Sequence, residues 1–415
     1  MKILFVVPYV PNLIRVRPYN FIRYLAKFGN QVTVATLWSN EGDLEDIERL
    51  RGEGVRVEAE QLPTWRPVAN SLKTLPGKQP LQAHYSWQPN LAKKLSELCA
   101  NGNGRFPFDA VHIEHIRGAR YGLYLKKLLA EKYNGQPIPL VWDSVDCISL
   151  LFRKASSHSK SLKGRLMTQL DLKRTEAYEA WLVKQFDQIL LTSPFDRDAY
   201  LALLSPPEIE DYQSKIQVLP NGVDLDYFRP DTSVQRYPAT LVVSGKMSYH
   251  ANITMVVNLV GEIMPLVWEK RPDIKLQIVG KDPARNIQAM AEHPQIEVLG
   301  TVPDLRPFLQ QATVAVAPIV YGVGIQNKVL EAMACATPVV ATTQAVSAIT
   351  AVPGQDILVG SEPSQISDAI LQLVNDPALC REIGENGYRF VTKEHNWTAI
   401  TKHLETYYQM QKLQM

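Results

Sequence analysis

The sequence is poor in cysteine, which excludes two broad classes of protein. Its 415 residues include four cysteines, and none of them stands in a CxxC pair or at metal-site spacing from a histidine. A small disulfide-stapled fold and a zinc site of common spacing are therefore both excluded. The pattern predicts free, packed thiols in a reducing compartment, so we expect a cytoplasmic protein. The four residues are Cys99, Cys147, Cys335 and Cys380.

The sequence also lacks long apolar runs and a strong net charge. No stretch of about 18 uninterrupted apolar residues occurs, so we expect no segment to span a bilayer. The N-terminal run MKILFVV is short, soon meets Pro8 and Pro11, and has no small-residue cleavage site, so it predicts a core strand and no signal peptide. A net charge of +2 gives no overall field to attract nucleic acid. No GxGxxG follows the first strand, which disfavours dinucleotide binding there.

The remaining features indicate an α/β protein of two domains. A chain of 415 residues is too long for one core. Short β-branched runs alternate with amphipathic stretches, which predicts parallel sheets covered by helices. We expect a first Rossmann-like domain over 1–220, a hinge over 221–238 and a second Rossmann-like domain over 239–395. The amphipathic segment 396–415 is expected to pack back on the first domain.

Residues 314–342 predict an anion site in the second domain. A buried-strand pattern is followed by a loop with Gly322 and Gly324 and then by helical spacing. A glycine loop that opens a helix gathers free N–H groups at the positive end of the helix dipole, which suits phosphate. Lys328 and Glu331 share a helix face, so a cation for diphosphate would stand beside a carboxylate for a sugar or ribose hydroxyl. The alternative is a solvated ion pair at an ordinary turn.

Two arginines are candidates for acceptor binding in the first domain. Arg15 and Arg17 lie in a predicted loop, residues 8–18, after the first strand. This loop leaves the carboxyl end of a parallel strand, where open α/β sheets bind ligands. Either the two side chains meet an anionic acceptor, or they are exposed arginines on a mobile loop.

Later strand ends supply the candidate catalytic groups. His115 follows a strand at 109–113, and imidazole titrates near neutrality, so it is a candidate general acid or polarising group. His112 belongs to the strand itself and is the candidate for a structural histidine. Asp143 ends the next strand and, with Asp146, either orients acceptor hydroxyls or leaves Asp146 to cap the following helix. We favour the cap for Asp146.

Two further segments bear on partners. Residues 153–165 carry a basic, serine-rich run that is either a lid against an anionic membrane or acceptor, or a solvated helix face. Asp224 and Asp226 form a DxD, a pattern that can hold a divalent metal. That pair lies in the predicted hinge, and so short a match arises by chance. We therefore expect no metal and no cofactor.

The order and spacing of the motifs resemble the retaining glycosyltransferases of family 4, the glycosyl transferases group 1. The resemblance covers essentially the whole chain and is strongest in the second half. The motifs that carry it are ILFVVPYVP at 3–11, DAVHIEH at 109–115, LPNGVD at 219–224, SGKMSYHAN at 244–252, IVG at 278–280, GTVPDL at 300–305 and GVGIQNKVLEAMACATPVVAT at 322–342.

This resemblance implies the GT-B fold, in which two Rossmann-like α/β domains with parallel sheets face each other across a cleft. It implies that the second domain binds a nucleotide-diphosphate sugar without a metal, because lysines and a helix terminus neutralise the leaving diphosphate. It places the diphosphate at Gly245 and Lys246, the base at Val302 and the ribose at Glu331. The implied donor-binding set is Gly245, Lys246, Asn252, Gly280, Val302, Gly322, Val323, Gly324, Ile325, Lys328 and Glu331.

The resemblance also assigns residues to catalysis and acceptor binding. His115 is implied as the histidine near the reacting carbon, with Glu114 as the other residue that could take that position. Arg15, Arg17 and Asp143 are expected to bind the acceptor. Tyr321 stands where family members often carry glutamate, and the spacing to Glu331 is longer than in their E-x7-E motif. The chain instead follows a GxGxxxKxLE subgroup.

The sequence thus predicts a retaining, metal-independent hexosyltransferase that uses a nucleotide-sugar donor. The hydroxyl acceptor would be a glycan, a lipid-linked molecule or a small molecule, and polysaccharide or glycolipid synthesis is the expected setting. We expect a cytoplasmic protein with peripheral contact at the inner membrane face through 153–165, and no nucleic-acid partner. The alternatives are glycosylation of a natural product, a GT-B nucleotide-sugar epimerase and a catalytically silent nucleotide-sugar-binding module.

Overall fold

A computed structural model describes residues 1–100, 104–158, 162–321 and 324–413, with side chains described except at 154–170 and 410–413. The chain divides into two compact units. The first comprises Met1–Pro220 together with the C-terminal helix, and the second comprises Asn221–Asn396. Each unit is an α/β structure built on its own parallel sheet, as the sequence predicts.

The first unit contains a seven-stranded parallel sheet in the order β3-β2-β1-β4-β5-β6-β7. The central strands β1 and β4 are buried on both faces, which explains the continuous apolar run of β1, while β4 also buries His112 and Glu114. The strands are β1 Lys2–Val7, β2 Gln31–Trp38, β3 Arg56–Gln61, β4 Ala110–Glu114, β5 Leu140–Val145, β6 Gln188–Leu191 and β7 Ile216–Val218.

Helices cover the first sheet and connect its strands. They are α1 Val16–Lys27, α2 Glu41–Gly52, α3 Trp65–Thr74, α4 Leu81–Tyr85, α5 Pro89–Ala100, α6 His115–Lys132, α7 Ile148–His158, α8 Leu162–Val183, α9 Pro194–Leu201, α10 Pro206–Tyr212 and, at the C-terminus, α19 Trp397–Leu413. Helix α19 packs in this unit, where the Trp397 ring meets the Phe21 ring edge-on at 5.3 Å between centroids. Tyr408 Oη lies 2.9 Å from His112 Nδ1.

The second unit contains a six-stranded parallel sheet in the order β10-β9-β8-β11-β12-β13. Its strands are β8 Thr240–Ser244, β9 Lys275–Val279, β10 Ile296–Gly300, β11 Val314–Ala317, β12 Val339–Thr342 and β13 Leu358–Gly360. Its helices are α11 His250–Asn258, α12 Met264–Lys270, α13 Arg285–Gln288, α14 Arg306–Gln311, α15 Asn327–Ala334, α16 Thr343–Val346, α17 Pro363–Asn375 and α18 Pro377–Glu394.

One helical stretch of the second unit, His250–Lys270, is long and apolar enough to cross a membrane by length and composition. Core helices of soluble proteins pass the same test. Met255, Leu259 and Met264 of this stretch are buried in the core of the second unit. This burial accounts for their apolar character without a bilayer.

The strand orders place ligand-binding edges in both units. In the first unit the order reverses between β1 and β4, and in the second between β8 and β11. Open parallel sheets bind ligands outside the carboxyl ends of the strands at such switch points. The loops that leave these ends hold most of the residues singled out in the sequence.

One predicted boundary is wrong at this edge. The loop expected over 8–18 ends earlier, because α1 begins at Val16 and includes Arg17 and Pro18. Proline lacks the N–H that the first turn of a helix leaves unpaired, so Pro18 is tolerated there and does not mark the end of the loop.

Candidate functional site

The carboxyl ends of β8 and β9 approach so closely that glycine is required at both. Gly245 and Gly280 have φ values of 149° and 152°. A Cβ built on Gly280 would lie 1.7 Å from the carbonyl oxygen of Gly245, and one on Gly245 would lie 2.8 Å from Asn252 Nδ2. The two glycines thus leave bare backbone at the strand ends, where a ligand can approach the main chain.

Asn252 joins this backbone to the helix that follows the glycine loop. Its Nδ2 donates to the carbonyl oxygen of Lys246 at 2.9 Å, and its Oδ1 accepts from Lys328 Nζ at 2.6 Å. Gly245, Lys246, Asn252 and Lys328, which are far apart in sequence, therefore lie together at the switch point of the second sheet. The Lys246 side chain is exposed, so it can also turn toward a ligand at this place.

Burial and mutual attraction have opposite effects on the pKa values of the helix residues Lys328 and Glu331. Burial lowers the pKa of Lys328 to about 8, against the attraction of Glu331. Burial raises the pKa of Glu331 to about 7, against the attraction of Lys328. A half-buried lysine near the glycines at the strand ends suits diphosphate binding. The negative charge of the diphosphate would stabilise the Lys328 ammonium, which has lost part of its hydration.

Tyr321, which replaces the glutamate expected from the resemblance, reaches α11. Its Oη lies 2.8 Å from His250 Nδ1, and the two rings stack at 5.6 Å between centroids with 12° between planes. Thr254 Oγ1 is 3.4 Å from the same hydroxyl. His250 lies in the motif SGKMSYHAN, but its contact with Tyr321 spans 71 residues, so local spacing does not predict it. The residue before the glycine loop is therefore aromatic and joined to imidazole in this chain.

The other predicted donor residues lie nearby in sequence or at the same edge. Gly324 has φ 72°, and Ile325 is buried in the core of the second unit. Val302 follows β10 and is half-buried. Gly322 and Val323 lie outside the described residues, so their predicted contacts with phosphate and sugar stay predictions.

The first unit contains a buried ionic network below its switch point. Arg17 Nε donates to Asp143 Oδ2 at 2.7 Å, and both side chains are almost fully buried. His112 Nε2 lies 3.5 Å from Asp143 Oδ2 and 3.7 Å from Glu114 Oε2. Arg17 Nη1 also donates to the carbonyl oxygen of Leu219 at 2.9 Å. Arg17, Asp143 and Glu114, predicted to meet substrate, are therefore held beneath the surface with His112.

Burial and charge act against each other in this network. Burial alone would raise the pKa of Asp143, but Arg17 and His112 hold it below its usual value. Burial and the Asp143 charge raise the pKa of Glu114. Burial would lower the pKa of His112, but Asp143 and Glu114 raise it. The network is most stable with Asp143 charged and with a proton available to His112 and Glu114.

A metal ion does not suit this network. The ligand atoms of His112, Glu114 and Asp143 lie within 4.8 Å of one another, close enough in distance to hold an ion. The guanidinium of Arg17, however, already contacts the Asp143 oxygen that faces this group. A fixed positive charge at that oxygen opposes a second cation.

His115 begins α6 directly above the network and has a strained backbone. Its φ is 62°, and Val145 at the end of the neighbouring strand has φ 71°. A positive φ is costly for a non-glycine residue, above all for a β-branched one, and such strain collects at functional sites. Burial, with Arg117 and Arg15, lowers the pKa of His115 to about 3. Its imidazole is therefore neutral at physiological pH, which favours a polarising role over that of a general acid.

Tyr9 connects this histidine to the other predicted residues. Its ring meets the His115 ring edge-on at 6.3 Å between centroids, and the guanidinium of Arg15 stacks over the Tyr9 ring at 4.1 Å. The Tyr9 hydroxyl donates to Glu114 Oε1 at 3.3 Å. Arg15 is exposed in the loop before α1, so its predicted contact with an anionic acceptor stays a prediction. Arg17 cannot make such a contact from its buried position.

The predicted cap at Asp146 is wrong. Asp146 Oδ1 accepts from Thr192 Oγ1 at 3.1 Å. The first amides of α7 donate instead to the carboxylate of Glu179, from Ile148 at 2.9 Å and from Ser149 at 3.2 Å. Glu179 lies on α8, so this cap comes from a distant part of the chain that local spacing does not reveal.

The predicted membrane segment 153–165 is described at one side chain. Arg153 pairs with Glu176 at 2.6 Å between Nη2 and Oε1. The other basic side chains of the segment lie outside the description, so membrane contact there stays a prediction.

Comparison with known proteins supports the reading of the second unit. Residues 238–376 match the family described as glycosyl transferases group 1. This stretch begins just before β8 and ends after α17, so it contains every predicted donor residue. The match supports a glycosyltransferase and agrees with the family resemblance seen in the sequence.

Curated relatives of the chain include two mannosyltransferases. One is the lipopolysaccharide core biosynthesis mannosyltransferase LpcC of Rhizobium leguminosarum bv. viciae, 27% identical over 54% of this chain and 65% of its own length. Another is the GDP-mannose-dependent monoacylated alpha-(1-6)-phosphatidylinositol monomannoside mannosyltransferase of Corynebacterium glutamicum, 27% identical over 45% of this chain and 54% of its own length. The chain thus spans less than two thirds of each relative.

Solved structures match over nearly the full chain and show the fold. Anabaena Alr3699/HepE in complex with UDP has a TM-score of 0.66 at 13% identity and covers 98% of this chain and 99% of its own. A glycosyltransferase from Rickettsia africae ESF-5 has a TM-score of 0.67 at 15% identity, covering 98% and 97%. The predicted GT-B fold class, two α/β units on parallel sheets, is confirmed.

Proposed function

We propose that this chain is a retaining, metal-independent glycosyltransferase of the GxGxxxKxLE subgroup. It moves a sugar from a nucleotide-diphosphate sugar to a hydroxyl acceptor. The second unit binds the donor, and the first unit binds the acceptor and supplies His115. The observation that carries the proposal is the contact of Lys328 Nζ with Asn252 Oδ1 at 2.6 Å, which joins α15 to α11 and, through the bond of Asn252 to the Lys246 carbonyl, to the end of β8.

The donor half of the proposal follows from the charges at this contact. The diphosphate would lie against the bare backbone of Gly245 and Gly280, with Lys328 and Lys246 neutralising it as it leaves. Glu331, on the same helix face as Lys328, would accept a ribose hydroxyl. Two lysines and backbone amides would then neutralise the charge of the leaving diphosphate, which a metal ion neutralises in other transferases.

The acceptor half is supported by the strained edge of the first sheet. Neutral His115 can donate or accept a hydrogen bond at the reacting centre without carrying a charge that would repel the developing positive sugar. The Tyr9 ring meets the His115 ring edge-on, and the Tyr9 hydroxyl is in turn bound to Glu114. Arg15 is an exposed cation that an anionic acceptor could contact.

A glycolipid acceptor is the class that the relatives favour. The names of the two mannosyltransferases refer to a lipopolysaccharide core and to a phosphatidylinositol monomannoside. GDP-mannose is therefore the first donor to test, followed by UDP-sugars because the HepE structure contains UDP. Anomeric configuration of the product, read by NMR, tests retention, and an inverted product would contradict the proposed mechanism.

Replacing Lys328 by alanine is expected to weaken nucleoside diphosphate binding by about 10- to 100-fold, because a charge-assisted contact is lost. Binding of the corresponding nucleoside should change little, since it lacks the phosphates. Isothermal titration calorimetry measures both. Lys393→Ala, an exposed lysine of the same unit, is the matched control. Equal losses for nucleoside and diphosphate would mean that Lys328 has only a structural role.

Diphosphate binding near pH 8 is expected to take up protons. Lys328 has a pKa of about 8 in the empty site, so about half of it is neutral at that pH. A bound diphosphate raises this pKa and draws up to about half a proton from the buffer. The observed enthalpy should therefore differ between Tris and HEPES. Lys328→Arg, which stays charged, should retain binding and lose the buffer dependence. Identical enthalpies for the original chain in both buffers would refute the assignment.

A further inference from the structure

The segment between β3 and α5 contains an unusual apolar surface. On α3, Trp65, Val68 and Leu72 are each more than half exposed, and Leu75 just beyond the helix is 46% exposed. Their spacing of three, four and three residues places them on one face of the helical turn. The opposite face is anchored, since Pro67 and Thr74 are buried. This helix therefore exposes a continuous apolar stripe to solvent.

The same segment is free of acidic residues. Residues 61–96 contain no aspartate or glutamate, while basic residues recur along it. Two of these, Arg66 and Lys73, each follow an exposed apolar residue directly and so lie on the flank of the apolar stripe. The basic residues are Arg66, Lys73, Lys78, Lys93 and Lys94.

A cavity of about 500 Å³ opens beside the stripe, and several of these basic residues line it. No acidic side chain lines it among the described residues. Asn70 ties the cavity wall together by donating to the carbonyl oxygens of Trp87 at 2.9 Å and Tyr85 at 3.2 Å. The charged and titratable groups that line it are Arg66, Lys73, Lys78, His84 and Arg120.

Among the described residues, the cations that line the cavity have no carboxylate partner. Arg66 and Arg120 are also partly buried from water. Arg120 stacks over Trp87 at 4.1 Å and contacts His84, while Arg66 stacks over Trp65 at 4.7 Å. The Nε of Arg66 is buried without a hydrogen-bond partner among the described residues. Guanidinium groups without a carboxylate partner bind phosphate oxygens well, because their planar N–H groups match a bidentate anion.

From these observations we infer that α3 and its basic cavity form a membrane-docking surface for anionic phospholipid. The stripe of Trp65, Val68, Leu72 and Leu75 enters the headgroup region, and a lipid phosphate occupies the cavity of Arg66, Lys73 and Arg120. An apolar face with basic flanks is the pattern of helices that lie in the plane of a bilayer surface. An anionic bilayer fits this surface better than an apolar groove of another protein. It offers an anion for the basic cavity directly beside an apolar phase for the stripe.

Helix α3 lies at the same edge of the first sheet as the candidate acceptor site. Helix α3 follows the carboxyl end of β3, and the exposed residues Leu13 and Ile14 follow the carboxyl end of β1 in the same parallel sheet. Both therefore leave the sheet edge from which His115 also extends. A docked chain would present this edge to the lipid surface. The docking itself does not depend on the proposed sugar transfer.

Vesicle sedimentation of the full chain tests the inference. We expect binding to vesicles of phosphatidylglycerol and phosphatidylcholine in equal parts, and little binding to phosphatidylcholine alone. Lys73→Glu with Lys78→Glu should weaken binding at least about twentyfold, since each basic residue near an anionic surface contributes roughly fivefold. Val68→Ser with Leu72→Ser should also weaken it. These residues are exposed, so the thermal midpoint should hold.

Matched controls separate this surface from general charge. Lys127→Glu with Lys132→Glu changes the charge of the same unit equally at exposed sites outside α3, and Val352→Ser removes an exposed valine of the second unit. Both should bind vesicles as the original chain does. Equal binding by the α3 variants, or no preference for anionic vesicles, would overturn the inference. Release by free glycerol phosphate at the lipid phosphate concentration would also overturn it, in favour of a site for soluble phosphate.

Discussion

Replacing Gly280 by alanine is expected to destabilise the second unit by about 3–5 kcal/mol and to abolish diphosphate binding. The added Cβ would lie 1.7 Å from the Gly245 carbonyl oxygen, which is backbone and cannot rotate away. Strain at φ 152° adds to this overlap. Overpacking and an unfavourable φ each cost about 1–3 kcal/mol. Scanning calorimetry measures the loss of stability, and titration with a nucleoside diphosphate measures the loss of the site.

Gly261→Ala is the control for this prediction. Gly261 lies in the long helical stretch of the same unit, and a Cβ there would meet nothing within 4 Å. Because alanine favours a helix over glycine, this variant should be neutral or more stable by up to about 1 kcal/mol. A Gly280→Ala protein with the original midpoint and affinity would show that the strand ends are not as closely packed as the structure indicates.

Replacing Arg17 by methionine is expected to destabilise the first unit by about 3–5 kcal/mol, because the buried Asp143 carboxylate loses its guanidinium partner and keeps only His112 at 3.5 Å. This corresponds to a fall of about 10 °C in the midpoint of that unit. The deficit should depend on pH. Arg17 and His112 hold the pKa of Asp143 below its usual value, so in the original chain this carboxylate stabilises the fold above its unfolded pKa. In the variant burial would raise that pKa, so stability would fall as pH rises.

The comparison therefore needs two pH values and one control variant. The difference in midpoint between Arg17→Met and the original chain should be larger at pH 7 than near pH 4, where Asp143 can take up a proton. Arg23→Met is the control on the same helix, since Arg23 pairs with Glu53 at 2.9 Å with both side chains about one third exposed. Such a pair contributes less than about 1 kcal/mol. Equal, pH-independent effects of the two substitutions would contradict the network.

Much of the fold could be predicted because each unit repeats one local pattern. Strands buried on both faces appear as short β-branched runs, and the glycines and amphipathic stretches between them mark turns and helices. The run from Val314 to Thr342 is an example, since β11, α15 and β12 fall where the pattern predicts them. Pro18 misled the prediction because proline is compatible with a first helical turn as well as with a loop.

The candidate site was less predictable because its contacts join distant parts of the chain. Glycine loops and the Lys328–Glu331 spacing are local signals, and they indicated an anion site. The contact of Asn252 with Lys328 spans 76 residues, and the pair of Arg17 and Asp143 spans 126. Spacing along the sequence cannot reveal that Arg17 is buried against a carboxylate and is not free for an acceptor.

A metal-independent donor site can be tested by titrating the full chain with UDP, GDP and ADP in the presence of EDTA. We expect at least one of the three to bind tightly without a divalent metal, and Lys328→Ala to weaken this binding far more than it weakens nucleoside binding. Absence of binding to all three, or binding that appears only when a divalent metal is added, would contradict a metal-independent nucleotide-sugar site at Gly245, Asn252 and Lys328.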